Sequence, residues 1–165
     1  MTEEKNIVDF TGKTKKIACL ACAREKGEIV LGNIIKSEYF DAHQDYEIPI
    51  PGFIIISSRR HIQSVDEFTE DERRDFIEFL CRIRSAMIKV LDIKTIYLFQ
   101  AEDTMHHFHV WLIPRYNWMT EKFGTKIESV RPIVNYSKEF LRTESDIAKV
   151  EEAIQKLKQF FSSAE

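Results

Sequence analysis

His107 and His109 stand two residues apart in the run His107-Phe108-His109-Val110-Trp111-Leu112-Ile113-Pro114-Arg115. Side chains two apart on a strand share a face, so His107, His109 and Trp111 point one way and Phe108, Val110 and Leu112 the other. One face is suited to packing. The other carries imidazoles, each with a donor and an acceptor that need partners. A neutral imidazole offers one bare nitrogen to phosphorus when its other nitrogen holds its proton in a hydrogen bond that fixes the tautomer. The phosphoramidate formed would divide one hard displacement into two, first expelling the leaving group and then admitting water. Alternation alone does not separate His109 from His107 as nucleophile. With His109 in that role, His107 and His61 would bind phosphate oxygens or manage protons.

The cysteines are the second constellation. Cys19 and Cys22 lie close together and Cys81 falls in a helical pattern, so the three make no even framework and read as reduced thiols or metal ligands. Arg59 and Arg115 are read as surface arginines, His43 as a surface residue in a polar loop, and His106, opposite His107, as structural.

These residues need a scaffold. Phe53-Ile54-Ile55-Ile56, entered through Pro49, Pro51 and Gly52, is apolar at every position and predicts a central strand covered on both faces. Thr69 followed by Glu72 is a capping-box pattern, and Phe76, Leu80, Ile83, Met87 and Val90 behind it predict a helix over 70–91. Ile96 to Gln100 and the histidine run, joined by a turn over Ala101 to Thr104, predict a hairpin. Short strands broken at Gly32 are expected between Gly27 and Phe40. Residues 1–16 are expected to form a loosely held arm, and the stretch through Trp118 and Gly124 to be irregular. Ile147, Val150, Ile154, Leu157 and Phe161 predict a last helix over about 143–162.

A chain of 165 residues, 44% hydrophobic and 31% charged, fits one domain with a sizeable core. Its net charge of -3 speaks against a broad basic nucleic-acid footprint. No apolar run reaches the roughly 20 residues of a membrane span, and the opening MTEEKNIVDF lacks the features of a signal peptide, so a cytoplasmic location is expected.

The order of these motifs resembles the histidine triad (HIT) superfamily, whose motif His-φ-His-φ-His-φ-φ is often followed by Pro-Arg. Anchored on Pro114-Arg115, the first triad position is His107, the middle one His109 and the third Trp111. Upstream, Cys19 and Cys22, Gly27-Glu28-Ile29, Pro51-Gly52 through His61 and the Thr69 helix keep the family order, so the match spans about residues 19–115. The resemblance implies an α+β fold, with an antiparallel sheet, a long central helix and a C-terminal helix, commonly as a homodimer. It implies a core over 17–118 with residues 119–165 as a C-terminal extension. It also implies a nucleotide hydrolase or nucleotidyl transferase acting on a substrate such as diadenosine tetraphosphate through His109. His107, Thr104 and Trp111 would manage phosphate or protons, and Asp45 would meet the ribose hydroxyls. Some bacterial members pair the two cysteines with two histidines, which implies a structural zinc site at Cys19, Cys22, His61 and His107.

The departures from the pattern are Trp111 for the third histidine, Phe53 for the histidine after Pro-Gly, Ser58-Arg59 for Pro-Lys, and Asp103-Thr104 for a Gln-Ser pair. They keep a second reading open, a zinc-stabilised nucleotide- or protein-binding module with little or no turnover.

Overall fold

The isoleucine run becomes β5 (Ile54–Ser58), buried along its whole length. It is the middle strand of a five-stranded antiparallel sheet that also holds β3 (Asn33–Lys36), β4 (Phe40–Gln44), β6 (Ile96–Phe99) and β7 (His109–Pro114), in the order β3-β4-β5-β7-β6. The computed structural model describes residues 4–103 and 107–163. The fold is the expected α+β architecture, with a long helix on one face of the sheet and a helix at the C-terminal end.

That long helix, α2 (Glu70–Leu91), starts at a reciprocal cap: the Glu72 amide donates to Thr69 Oγ1 (3.2 Å) and the Thr69 amide to Glu72 Oε2 (2.8 Å). It closes at Asp92 in the left-handed region. Its apolar stripe, Phe79, Ile83, Ala86 and Met87, packs on Phe40, Ala42, Ile54, Ile56, Val110 and Leu112, which all project from one side of the sheet. Val150, Ile154, Leu157 and Phe161 of α5 (Glu144–Ser162) complete this layer. Gly52 (φ 71°) makes the turn into β5 beneath α2, where a Cβ would stand 2.7 Å from Ile93 Cδ1 and 2.9 Å from Leu91 Cδ1. Only glycine fits both that backbone conformation and that space.

The other side of the sheet is shared between two covers. Toward the Pro114 end, Ile50, Phe53, Ile55 and Ile113 pack against Met119, Val130 and Ile133. These last three belong to α3 (Asn117–Phe123) and α4 (Val130–Phe140), so the region expected to be irregular after Arg115 is largely helical. A second apolar cluster joins Ala23 of α1 (Leu20–Glu25) to Ile17, Ile29 and Tyr46. The expected N-terminal arm is instead an antiparallel ribbon of β1 (Lys5–Val8) and β2 (Thr14–Ile17). Asp9 Oδ1 accepts from the Thr11 amide (2.9 Å), Thr11 Oγ1 (2.7 Å) and the Lys13 amide (3.0 Å), while Phe10 is fully buried and anchors the turn. Polar strands carry no apolar period, and that is why periodicity missed the ribbon.

Between Gly27 and Phe40 a single strand, β3, forms among the described residues. His43, expected at the surface, is a correction: it lies on β4 and is 2% exposed. Phe-Asp-Ala-His-Gln looks polar as a string, yet strand pairing on both sides covers it.

Candidate active site and metal centre

Residues directly opposite on paired strands project from the same face. His109 on β7 pairs with Ser57 on β5, and Ser57 with Asp41 on β4. One row down, Trp111 pairs with Ile55 and Ile55 with His43. His109, Ser57, Asp41, His43 and Trp111 therefore share the face turned away from α2.

His109 is 7% exposed, and its Nδ1–H donates to the carbonyl of His107 (3.1 Å). A carbonyl only accepts, so the proton sits on Nδ1 and Nε2 is the bare nitrogen; among the described residues Nε2 has no hydrogen-bond partner. Burial pushes the His109 imidazole below its ordinary value, against the pull of that hydrogen bond, and so favours the neutral form. Trp111 packs between Phe53 (5.8 Å, edge-on) and Phe99 (5.6 Å, tilted).

His107 precedes β7 and turns from the shared face to the start of α1. Its Nε2–H donates to the Ser58 carbonyl (2.7 Å), which leaves Nδ1 bare and aimed at Cys19 Sγ (3.4 Å), Cys22 Sγ (3.6 Å) and His61 Nδ1 (3.2 Å). Cys22 Sγ is 3.1 Å and Cys19 Sγ 4.0 Å from His61 Nδ1. All four donor atoms lie within 4.8 Å of one another, and this cluster could hold a metal ion. A tetrahedral ion with arms of about 2.3 Å to sulfur and 2.0–2.1 Å to nitrogen sets ligand–ligand edges of roughly 3.3–3.8 Å. The observed separations centre on those edges. The donor set, two soft thiolates and two imidazoles with one tautomer already fixed by a backbone carbonyl, suits such an ion. With no metal bound, burial raises the Cys19 thiol, but its contacts with His107 and Cys22 outweigh that and bring the group to about 7.

Two ion pairs hold the flanks of this centre. Arg60, next to His61, donates to Glu72 Oε1 (3.0 Å) and Oε2 (2.9 Å) at the start of α2. Arg24, two residues beyond Cys22, is buried with Asp41: side-chain exposures are 1% and 5%, and Nε donates to Oδ2 at 3.2 Å. Arg24 also donates to the Leu31 carbonyl (2.8 Å) and to Asn33 Oδ1. Burial lowers the guanidinium and raises the carboxyl, with the mutual attraction opposing both shifts. Removing one partner leaves a buried charge, so Arg24→Met should lower the urea-unfolding free energy by about 3–5 kcal/mol. Arg24→Met/Asp41→Leu should recover part of that and no more, because the Leu31 carbonyl and Asn33 stay without their donor. A single variant as stable as wild type would sink this account.

Asp45, just past β4, uses Oδ1 to accept from the amides of Glu47 and Ile48, both at 2.8 Å, and burial pushes its carboxyl up to about 6. Arg59 is paired with Glu25 (2.8 Å), and Arg115 lies over the Tyr97 ring (4.8 Å) while donating to Ser129 Oγ (3.1 Å). Thr104 and His106 lie outside the described residues. Sequence reasoning passed over Arg24, Asp41 and Ser57. Asp41 and His43 did carry a period-2 signal, since they stand two apart on one strand.

The HIT domain family model matches residues 26–118, more than half of the chain. The chain belongs to the HIT family. Membership supports nucleotide hydrolysis or transfer as the general class of activity. Among solved structures, the HIT chain is similar to a Zn-bound histidine triad family protein from Mycobacterium smegmatis: TM-score 0.61, 18% identity, over 88% of this chain and 97% of that one. It is also similar to a Hit-like protein involved in cell-cycle regulation from Bartonella henselae (TM-score 0.58, 17% identity, 83% of this chain and 91% of that one). A HIT family protein from Bacillus anthracis is a third (TM-score 0.56, 21% identity, 83% and 94%). At these identities the likeness shows the HIT fold. No curated protein matches the chain. Among the described residues no helix is long and apolar enough to cross a membrane.

Proposed function

We propose that this HIT protein cleaves or transfers at a phosphate of a nucleoside polyphosphate, such as diadenosine tetraphosphate, with His109 as covalent nucleophile. The observation that carries the reading is the His109 tautomer: Nδ1–H is tied to the His107 carbonyl, and Nε2 has no partner among the described residues. Asp45 Oδ2, left over by a turn that uses Oδ1, meets the ribose hydroxyls; Trp111 forms a wall for the base or ribose; Thr104 contacts the phosphate. Cys19, Cys22, His61 and His107 hold a structural zinc ion, a reading supported by their separations and by the Zn-bound Mycobacterium smegmatis relative. Zinc would then brace the residue whose carbonyl orients His109. Thiols kept reduced for that purpose agree with a cytoplasmic home.

The test is release of AMP from diadenosine tetraphosphate and from an adenylyl amidate. The 7% exposure of His109 favours the second reading, a zinc-stabilised nucleotide- or protein-binding module with little turnover. Absence of release at every pH between about 6 and 8, where imidazole titrates, would select the module.

A homodimer is part of the same reading. Ile77 (57% exposed), Cys81 and Ile88 (47%) form one outward stripe on α2, and Leu98 (55%) is exposed on β6, which ends the sheet. An outward apolar stripe and an unpaired strand edge are each the kind of surface that a second copy covers. Light scattering should give twice the chain mass for wild type and the chain mass for Ile77→Glu/Ile88→Glu; a monomeric wild type would overturn it.

A further inference from the structure

We propose that the Ser57 hydroxyl is a hydrogen-bond donor to the phosphoryl group that His109 attacks, an inference that rests on the reading of His109 as nucleophile. Ser57 and His109 are directly opposite in the β5–β7 register, so their Cβ atoms stand about 4.5–5.5 Å apart on one face. A group bound beside the His109 ring on this face is therefore next to Ser57. Ser57 is 2% exposed and follows three consecutive isoleucines, yet its hydroxyl has no hydrogen-bond partner among the described residues. Such a hydroxyl, on the same face of the sheet as the nucleophile, can donate to a ligand that brings an acceptor.

The neighbours narrow what that acceptor is. Asp41, on the far side of Ser57 in the same row, would repel an anion, but Arg24 is bonded to it and offsets its charge. Trp111, at the third triad position, has one N–H and is held between Phe53 and Phe99. Ser57 thus supplies a donor next to the nucleophile where the tryptophan does not. In the transfer step the Nε2 lone pair forms the P–N bond, and the bond from phosphorus to the leaving group breaks with its electron pair going to that group. Ser57 keeps its proton throughout and donates to a non-bridging oxygen, whose negative charge is held there as the displacement proceeds.

The experiment compares wild type, Ser57→Ala, Ser57→Thr and His109→Ala in single turnovers with labelled diadenosine tetraphosphate. It follows label on the protein, kcat, KM, Tm and bound metal. Ser57→Ala should slow labelling about 100-fold, in kcat rather than KM. Its Tm should stay close to that of wild type, because the hydroxyl makes no hydrogen bond among the described residues, and its metal content should be unchanged. Ser57→Thr, which keeps the hydroxyl, should retain most of the rate. Labelling of Ser57→Ala at the wild-type rate overturns the role of Ser57 and leaves that of His109 intact. A fall in Tm at an unchanged rate assigns the hydroxyl to the fold and overturns it too. No label on wild type overturns the His109 reading and the Ser57 role with it.

Discussion

His109→Ala should reduce AMP release from diadenosine tetraphosphate by at least about a thousand-fold and eliminate label retained on the protein. Loss of a covalent nucleophile removes the path itself, and what survives is the contribution of binding and electrostatics alone. The fold should tolerate the change, because within the described residues the imidazole makes a single hydrogen bond, to the His107 carbonyl, and takes no part in the four-residue cluster. Bound metal should therefore match wild type, with Tm a few degrees lower for the cavity left in a buried strand. Retention of label or of turnover by a metal-replete His109→Ala protein would mean that another group attacks. Covalent catalysis at this histidine would then be abandoned.

Removal of metal should have the second large effect, on stability. Purified protein should carry one zinc ion per chain, and Cys22→Ser should carry none. The cluster joins three separate places in the chain: the start of α1, which supplies Cys19 and Cys22, the loop after β5 and the approach to β7. Free energy of binding at such a site is free energy of folding. The sheet and α2 provide a core without it, so the loss should be about 5 kcal/mol rather than complete unfolding, a drop in Tm of about 10–20 °C for a chain of this size. Because the ligands bind as thiolates and neutral imidazoles, acid should release the ion, and the difference between metal-bound and chelated protein should vanish as pH falls. Metal analysis with calorimetry before and after chelation decides it. A metal-free preparation with the wild-type Tm would leave the four side chains as packing residues.

Local signals were enough for much of the scaffold. The Thr69 cap and the stripe behind it marked α2 at Glu70–Leu91, the apolar run marked the buried strand β5, and the 3.6-residue period marked α5 behind Thr143. Each is written in neighbouring residues, because a cap, a helical stripe and a buried strand are contacts within about four positions or a face defined by them. The ribbon of residues 5–17 and the helices α3 and α4 escaped because the first is stabilised by a buried phenylalanine and an aspartate-centred turn. The second pair owes its place to contacts with Ile50, Phe53 and Ile113 from the sheet.

By itself, then, the sequence determined the fold class, the long helix, the central strand, and the residue types from which a phosphoryl-transfer site and a metal site can be made. Tertiary structure alone decided how those residues are used. His107 leaves the line of β7 to face Cys19, Cys22 and His61, His43 is buried on β4, Arg24 reaches across to Asp41, and Ser57 stands beside His109. These are pairings between segments far apart in the chain, set by strand register and by which face a helix covers. No periodicity within a single segment encodes the register of its partner.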